Sequence, residues 1–191
     1  SSTFHTFWWD PLTGVPLRGT TAQGYSDDSC WARGQAWGIY GFALAYATDG
    51  DESLLRASER LADYFIDHLP ADNVPYWDLV FSDGSGQPRD ASSGAIAYCA
   101  LALLQRLGRD AIAADKLSHY RTVSRSMLAS LAEHYTPVSN GVCDALLLHS
   151  VYDMPQLVGV DEGCLWGDYF YLEALVRDAQ PDWVSYWETT A

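Results

Sequence analysis

Apolar positions recur along most of this chain at helical spacing, and charged positions divide the pattern into stretches of two kinds. From Asp28 or Ser29, either of which can cap a helix, a stretch rich in alanine and aromatics runs to about Thr48, where Asp49-Gly50 stops it. Asp51-Glu52 opens a second helix that ends near Leu69-Pro70. In it Leu54, Leu55, Leu61, Tyr64, Phe65 and Ile66 alternate with Arg56, Glu59, Arg60 and Asp63, so one face is apolar and the other wet. A connection containing Pro and Gly, from Asn73 to Pro88, leads to a third helix over about Ala91 to Leu107. This helix carries almost no charge until Arg106 and is therefore expected to be buried all round; Gly108 ends it. A fourth, amphipathic helix spans about Asp110 to Tyr135. A loop containing Cys143 follows, and a last helix from about Glu162 to Val176 carries Leu165, Trp166, Tyr169, Phe170 and Leu172. The opening segment, Ser1 to about Ser26, has no helical period and reads as an extended loop or a short hairpin.

The elements repeat. Asp28-Ser29-Cys30, Asp90-Ala91-Ser92 and Asp161-Glu162-Gly163 each open an apolar helix, at intervals of roughly 60 to 70 residues, and the first two apolar helices are each followed by an amphipathic partner. Helices buried on every side alternating with helices that keep one wet face are what two concentric rings require. The expected fold is all-α, an α/α toroid. Five helices do not close such a ring, so the chain is expected to be an incomplete part of one, as a single domain over residues 1–191. Asp28, Asp90 and Asp161 are expected to act as helix N-caps, and Asp168, set among aromatics in the last helix, as a structurally satisfied carboxylate.

Charge and composition narrow the partners. The 191 residues carry a formal net charge of -14, which argues against nucleic acid or an anionic membrane, since both call for a basic face. An anionic ligand is compatible with this balance where one local arginine outweighs the overall field. Eight Trp and twelve Tyr supply stacking surfaces of the kind carbohydrate sites use, as cores also do. Cys30, Cys99, Cys143 and Cys164 lie far apart with no Cys-x-x-Cys pair, so they are expected to be buried free thiols, and no metal or organic cofactor is implied. The chain opens Ser1-Ser2-Thr3, which suits a processed product or a piece of something longer.

The chemistry concentrates in Asp27-Asp28-Ser29-Cys30-Trp31-Ala32-Arg33-Gly34-Gln35-Ala36-Trp37-Gly38. Arg33 and Trp37 are four apart and share a helix face, so a guanidinium suited to a carboxylate stands beside an indole suited to a pyranose ring. The competing reading is an aromatic helix packed in a core, with Arg33 in a structural ion pair.

These residues, together with His5-Thr6-Phe7, Asp10-Pro11, Gln23-Gly24-Tyr25-Ser26, Val74-Pro75-Tyr76-Trp77-Asp78, Gly159-Val160-Asp161-Glu162 and Trp166-Gly167-Asp168-Tyr169-Phe170, resemble unsaturated glucuronyl hydrolases of glycoside hydrolase family 88. The resemblance implies an (α/α)6 barrel, of which this chain would be the C-terminal half. It also implies action on unsaturated uronic-acid oligosaccharides left by polysaccharide lyases. Such enzymes hydrate the C4=C5 double bond of the terminal sugar: C4 is protonated, water adds at C5, and the hemiketal opens to release the next sugar. One aspartate serves as general acid and base. Position by position, the resemblance makes His5, Gln23, Arg33 and Trp37 substrate-binding residues, with His149 as a candidate wall residue. Without the resemblance, Gln23 reads equally well as a loop hydrogen-bonder and His5 as an ordinary loop histidine. The family's catalytic aspartate and its partner lie upstream of the segment that begins at His5, so the catalytic residue is unknown in this sequence and a missing N-terminal half is the expected partner. Two other readings stay open: a non-catalytic carbohydrate-binding or assembly half-barrel, and an unsaturated rhamnogalacturonyl hydrolase.

Overall fold

The computed structural model describes residues 1–137 and 143–185. The element order is β1 (Thr6–Trp9), β2 (Pro16–Thr20), α1 (Ala32–Asp49), α2 (Glu52–Asp67), α3 (Ala91–Leu107), α4 (Ala114–His134), β3 (Ser150–Asp153), β4 (Val158–Glu162) and α5 (Leu165–Ala179). The architecture is mainly α-helical, with α1, α3 and α5 forming an inner row. The helix α3 packs against both others, while α2 backs α1 and α4 backs α3 from outside. Every residue of α3 from Ala91 to Leu101 is buried. Its near absence of charge follows from this central place, because an ionised side chain there would need a buried partner.

The outer helices are joined edge to edge. Lys116 of α4 sits 2.7 Å from both Glu59 and Asp63 of α2, and the Tyr120 hydroxyl donates to Asp63 over 2.6 Å. Asp51 caps α2 as the sequence indicates, its carboxylate accepting from the Ser53 N–H at 2.8 Å.

The other three cap expectations are corrected. Asp28 caps nothing, because α1 starts four residues later at Ala32 with Trp31 as its N-cap. The chain at Cys30 and Trp31 is held extended against the loop between α2 and α3: Leu79 N–H donates to Cys30 O, and Ala32 N–H donates to Trp77 O. Asp90 does stand at the N-cap position of α3, but its carboxylate makes no capping bond to the backbone of the helix and turns elsewhere. Asp161 lies in strand β4, and α5 begins at Leu165 rather than Glu162. The β3–β4 register skips Asp161 between Val160 and Glu162, and Asp161 has φ +61°, so it is the extra residue of a bulge. Likewise α4 starts at Ala114, since a turn over Gly108–Ile112 precedes it.

The opening segment is a hairpin, with Thr6 opposite Thr20, Phe7 opposite Gly19 and Trp8 opposite Arg18. The expectation of four buried thiols holds for Cys30 and Cys99 and fails for Cys143, which is exposed, and for Cys164, which is half-buried; all four are free. Burial pushes the Cys30 thiol up to about 12. Residues 138–142 of the loop before Cys143 lie outside the described part. No helix among the described residues is long and apolar enough to cross a membrane.

Candidate substrate site at the inner-helix N-termini

The first turns of α1, α3 and α5 meet at one end of the inner row, and Arg33 is where they join. Its guanidinium donates from Nη1 to Asp90 Oδ2 at 2.9 Å and to the Val151 carbonyl, and from Nη2 to the Tyr152 carbonyl at 2.6 Å. Trp31 and Trp166 flank it, their rings 4.6 and 5.3 Å from Cζ. Arg33 is only 3% exposed and Asp90 is fully buried. Asp90 completes its shell through Oδ1, which accepts from the Ser92 hydroxyl at 2.6 Å and the Val151 N–H at 3.3 Å. That is why Asp90 does not cap α3: its oxygens tie strand β3 and α1 to the helix start. The Trp166 indole N–H donates to the same Ser92 hydroxyl over 3.1 Å, which brings α5 into the cluster.

Gln23 reaches this cluster from the loop after β2. Its Nε2 donates to the Tyr152 carbonyl at 2.9 Å, the oxygen that also accepts from Arg33. The His5 ring lies 4.3 Å from that of Trp31, centroid to centroid, and its Nδ1 accepts from the Ala22 and Gln23 N–H groups. An acceptor at Nδ1 places the proton of neutral imidazole on Nε2. Desolvation and then the nearby Arg33 charge hold the His5 pKa below its usual value, opposed by the charge of Asp153. Trp37, one turn along α1, is 36% exposed and meets Phe170 of α5 edge to face at 5.0 Å.

His5, Gln23 and Arg33 are thus brought into one cluster through Trp31 and the Tyr152 carbonyl, and Trp37 stands beside it on the α1 face. His149 lies at the start of α3, where its carbonyl accepts from Ala91, and its Nδ1 is 2.6 Å from Asp161 Oδ1. The structure shows Arg33 in the structural ion pair that was the competing reading of its sequence. A bidentate grip on an incoming carboxylate requires its Nη2 edge to give up the Tyr152 carbonyl. The N-cap of α1 is Trp31 and its first turn carries no acidic residue, so the positive end of the α1 dipole adds to Arg33, whereas Asp90 stands at the N-cap of α3.

The remaining carboxylates nearby are employed. Asp168 Oδ1 accepts from the Leu146 and Leu147 N–H groups at 2.9 and 3.0 Å, the structural role its sequence setting indicates. Asp78, fully buried, accepts from the Tyr25 and Val80 N–H groups and fixes the loop carrying Gln23. Three contributors escaped the sequence reading: Asp90 as the partner of Arg33, Trp166 as its second flanking ring, and Tyr152 as the shared acceptor. The signal for Asp90 lay in Asp90-Ala91-Ser92, where a carboxylate two residues before a serine can bond the hydroxyl instead of the backbone. A separate cavity of about 210 Å³, lined by Tyr98, Arg106, Arg121 and Arg177 among others, belongs to the other ends of α3 and α5 and contains none of these residues.

No family model matches the chain. It is 50% identical over 188 residues to the unsaturated chondroitin disaccharide hydrolase of Streptococcus pneumoniae, a match covering 98% of this chain and 46% of that protein. The crystal structure of unsaturated glucuronyl hydrolase from Streptococcus agalactiae superposes with a TM-score of 0.91 at 49% identity, over 98% of this chain and 46% of the other. A second solved structure, that of a glucuronyl hydrolase variant with dGlcA-Glc-Rha-Glc, gives a TM-score of 0.85 at 34% identity, over 94% of this chain and 47% of the other. The chain spans about half the length of the relatives it matches, and its helical rows are the corresponding part of their all-α toroid. In sequence and in fold, the chain is similar to about half of an unsaturated glucuronyl hydrolase.

Proposed function

We propose that these residues are the C-terminal half of an (α/α)6 barrel that removes the terminal unsaturated uronic acid from oligosaccharides released by lyases acting on glycosaminoglycans or similar polysaccharides. His5, Gln23, Arg33 and Trp37 bind that sugar. The observation that carries this reading is the convergence of Gln23 and Arg33 on the Tyr152 carbonyl, beside three helix N-termini and within a frame of indoles. Helix ends and a guanidinium provide positive potential for the sugar carboxylate, and the half-exposed Trp37 ring offers a surface for the apolar side of a pyranose. Arg33 would turn its Nη2 edge from the Tyr152 carbonyl to the substrate. Gln23, on the same carbonyl, is placed to take over that acceptor.

The reaction is hydration of the C4=C5 double bond: a proton is delivered to C4, water adds at C5, and the resulting hemiketal opens with loss of the next sugar. The proton-transferring aspartate lies in the other half of the barrel. Two features support this: Asp90 is spent on Arg33, and Asp78, Asp161 and Asp168 are each bound to structural partners.

The test follows the ultraviolet absorbance of an unsaturated chondroitin disaccharide incubated with this chain and with a version extended upstream. Loss of absorbance with the extended protein alone is the expected result. Loss with the short chain would assign the proton transfer to an aspartate within these residues and overturn the division.

A further inference from the structure

The hairpin β1–β2 rises from the rim of this site, and its two faces differ in chemistry. On one, Phe4, Phe7 and Trp9 pack on each other, with ring centroids 5.9 and 5.1 Å apart. On the other stand Thr6, Trp8, Arg18 and Thr20, placed together by the register that sets Thr6 opposite Thr20 and Trp8 opposite Arg18. Trp8 is held by its edge: its indole N–H donates to Thr20 Oγ1 at 3.1 Å, and Thr20 in turn bonds the Thr6 hydroxyl. The ring remains 57% exposed. Arg18 is exposed beside it, and among the described residues its side chain makes no ion pair or hydrogen bond, in a protein of net charge -14.

We propose that this face is an outer subsite for an acidic sugar, one further along a longer ligand than the terminal unit. An indole whose edge is pinned and whose face is free suits the C–H side of a pyranose. A guanidinium directly across the strand pair suits that sugar's carboxylate or sulfate, and the threonine hydroxyls suit its hydroxyl groups. Continuity with the first site fixes the direction. His5 immediately precedes β1, and it receives the Ala22 and Gln23 N–H groups just after β2, so both legs of the hairpin stand on site residues. Trp8 lies three residue steps along the strand from His5, a rise of about 10 Å. The placement of the subsite relative to the terminal sugar rests on the reading under Proposed function, whereas the subsite itself is contained in the hairpin.

Two indole N–H signals give independent reporters in a nitrogen-15 spectrum of this chain, assigned through Trp8→Phe and Trp37→Phe. Titrated with unsaturated chondroitin disaccharide, the Trp37 signal is expected to shift and the Trp8 signal to stay. With the tetrasaccharide both shift, and Trp8→Ala or Arg18→Gln reduces the tetrasaccharide-to-disaccharide affinity ratio by about tenfold. A tetrasaccharide that leaves Trp8 unmoved, or a ratio unchanged in both variants, overturns the subsite. Silence of Trp37 with either sugar overturns the reading of the first site instead, and the Trp8 response then decides the subsite by itself.

Discussion

Arg33 is held by so many partners that removing it has two separable consequences. In the complete enzyme Arg33→Ala is expected to lower kcat/KM by roughly 2–4 kcal/mol of lost carboxylate recognition. It also leaves Asp90 as an unpaired buried charge, which costs roughly 3–5 kcal/mol of stability. Urea denaturation and steady-state kinetics on the same variant distinguish the two. Asp90→Asn affects stability without removing the guanidinium, so a collapse in kcat/KM there as deep as in Arg33→Ala, from a protein still folded, would show that the arginine acts through its orientation alone. His5 sets a pH dependence. Its pKa lies below 6.5 in the folded chain, chiefly through desolvation, so the unfolded chain takes up the proton first as pH falls. The stability His5 contributes is complete above its unfolded pKa and is lost as pH falls through the folded value. His5→Asn keeps an acceptor near the Ala22 and Gln23 N–H groups but does not titrate, so thermal melts between pH 7.5 and 5.5 should show a flatter decline of Tm than the parent protein. An identical slope would remove His5 from the linkage.

The three kinds of helix start show what local patterning can and cannot specify. Asp51 lies directly between two helices with no competing backbone partner, and it caps α2 as its sequence setting indicates. Asp51→Ala should cost about 1 kcal/mol, read as a shift in urea midpoint at constant slope. Asp28 and Asp161 occupy equally suggestive positions and cap nothing, because long-range pairing claims the adjacent backbone first: Cys30 and Trp31 bond the loop at Trp77–Leu79, and Val158–Glu162 forms β4. Asp90 has the cap position and a different employment. The helices themselves, their order and their alternation of buried with half-wet faces were legible because they are carried by residues three and four apart. The β3–β4 hairpin was not, since its strands are short, broken by a bulge at Asp161, and defined by cross-strand partners rather than by a period within either strand. The same limit explains the site. Arg33 and Trp37 are visible as neighbours on one helix, but the Asp90 and Tyr152 partners of Arg33 are 57 and 119 residues distant.

The row of inner helices ends on an apolar side of α5 that nothing in the described chain covers. Phe170, Tyr171 and Ala174 face inward and are buried, whereas Leu165 is 83%, Leu172 54% and Leu175 40% exposed. These leucines are spaced by seven and three residues and so form one stripe along the helix, the arrangement of a face meant for a neighbour. On the proposed reading, that neighbour is a helix of the other half of the toroid, and the stripe is surface only in the isolated stretch. The chain alone should then bind a hydrophobic dye and self-associate, and Leu172→Glu should diminish both without unfolding it, because the side chain points away from α3. In the complete enzyme the same substitution places a carboxylate in a closed helix interface, where it should destabilise by at least the roughly 1.5–3 kcal/mol of a lost buried leucine. Opposite effects of one substitution on the two lengths of chain are the signature of a face buried only when the ring is complete. Equal tolerance in both, measured by dye binding, sedimentation and thermal melts, would leave α5 at an open edge and return the half-barrel to consideration as a binding module.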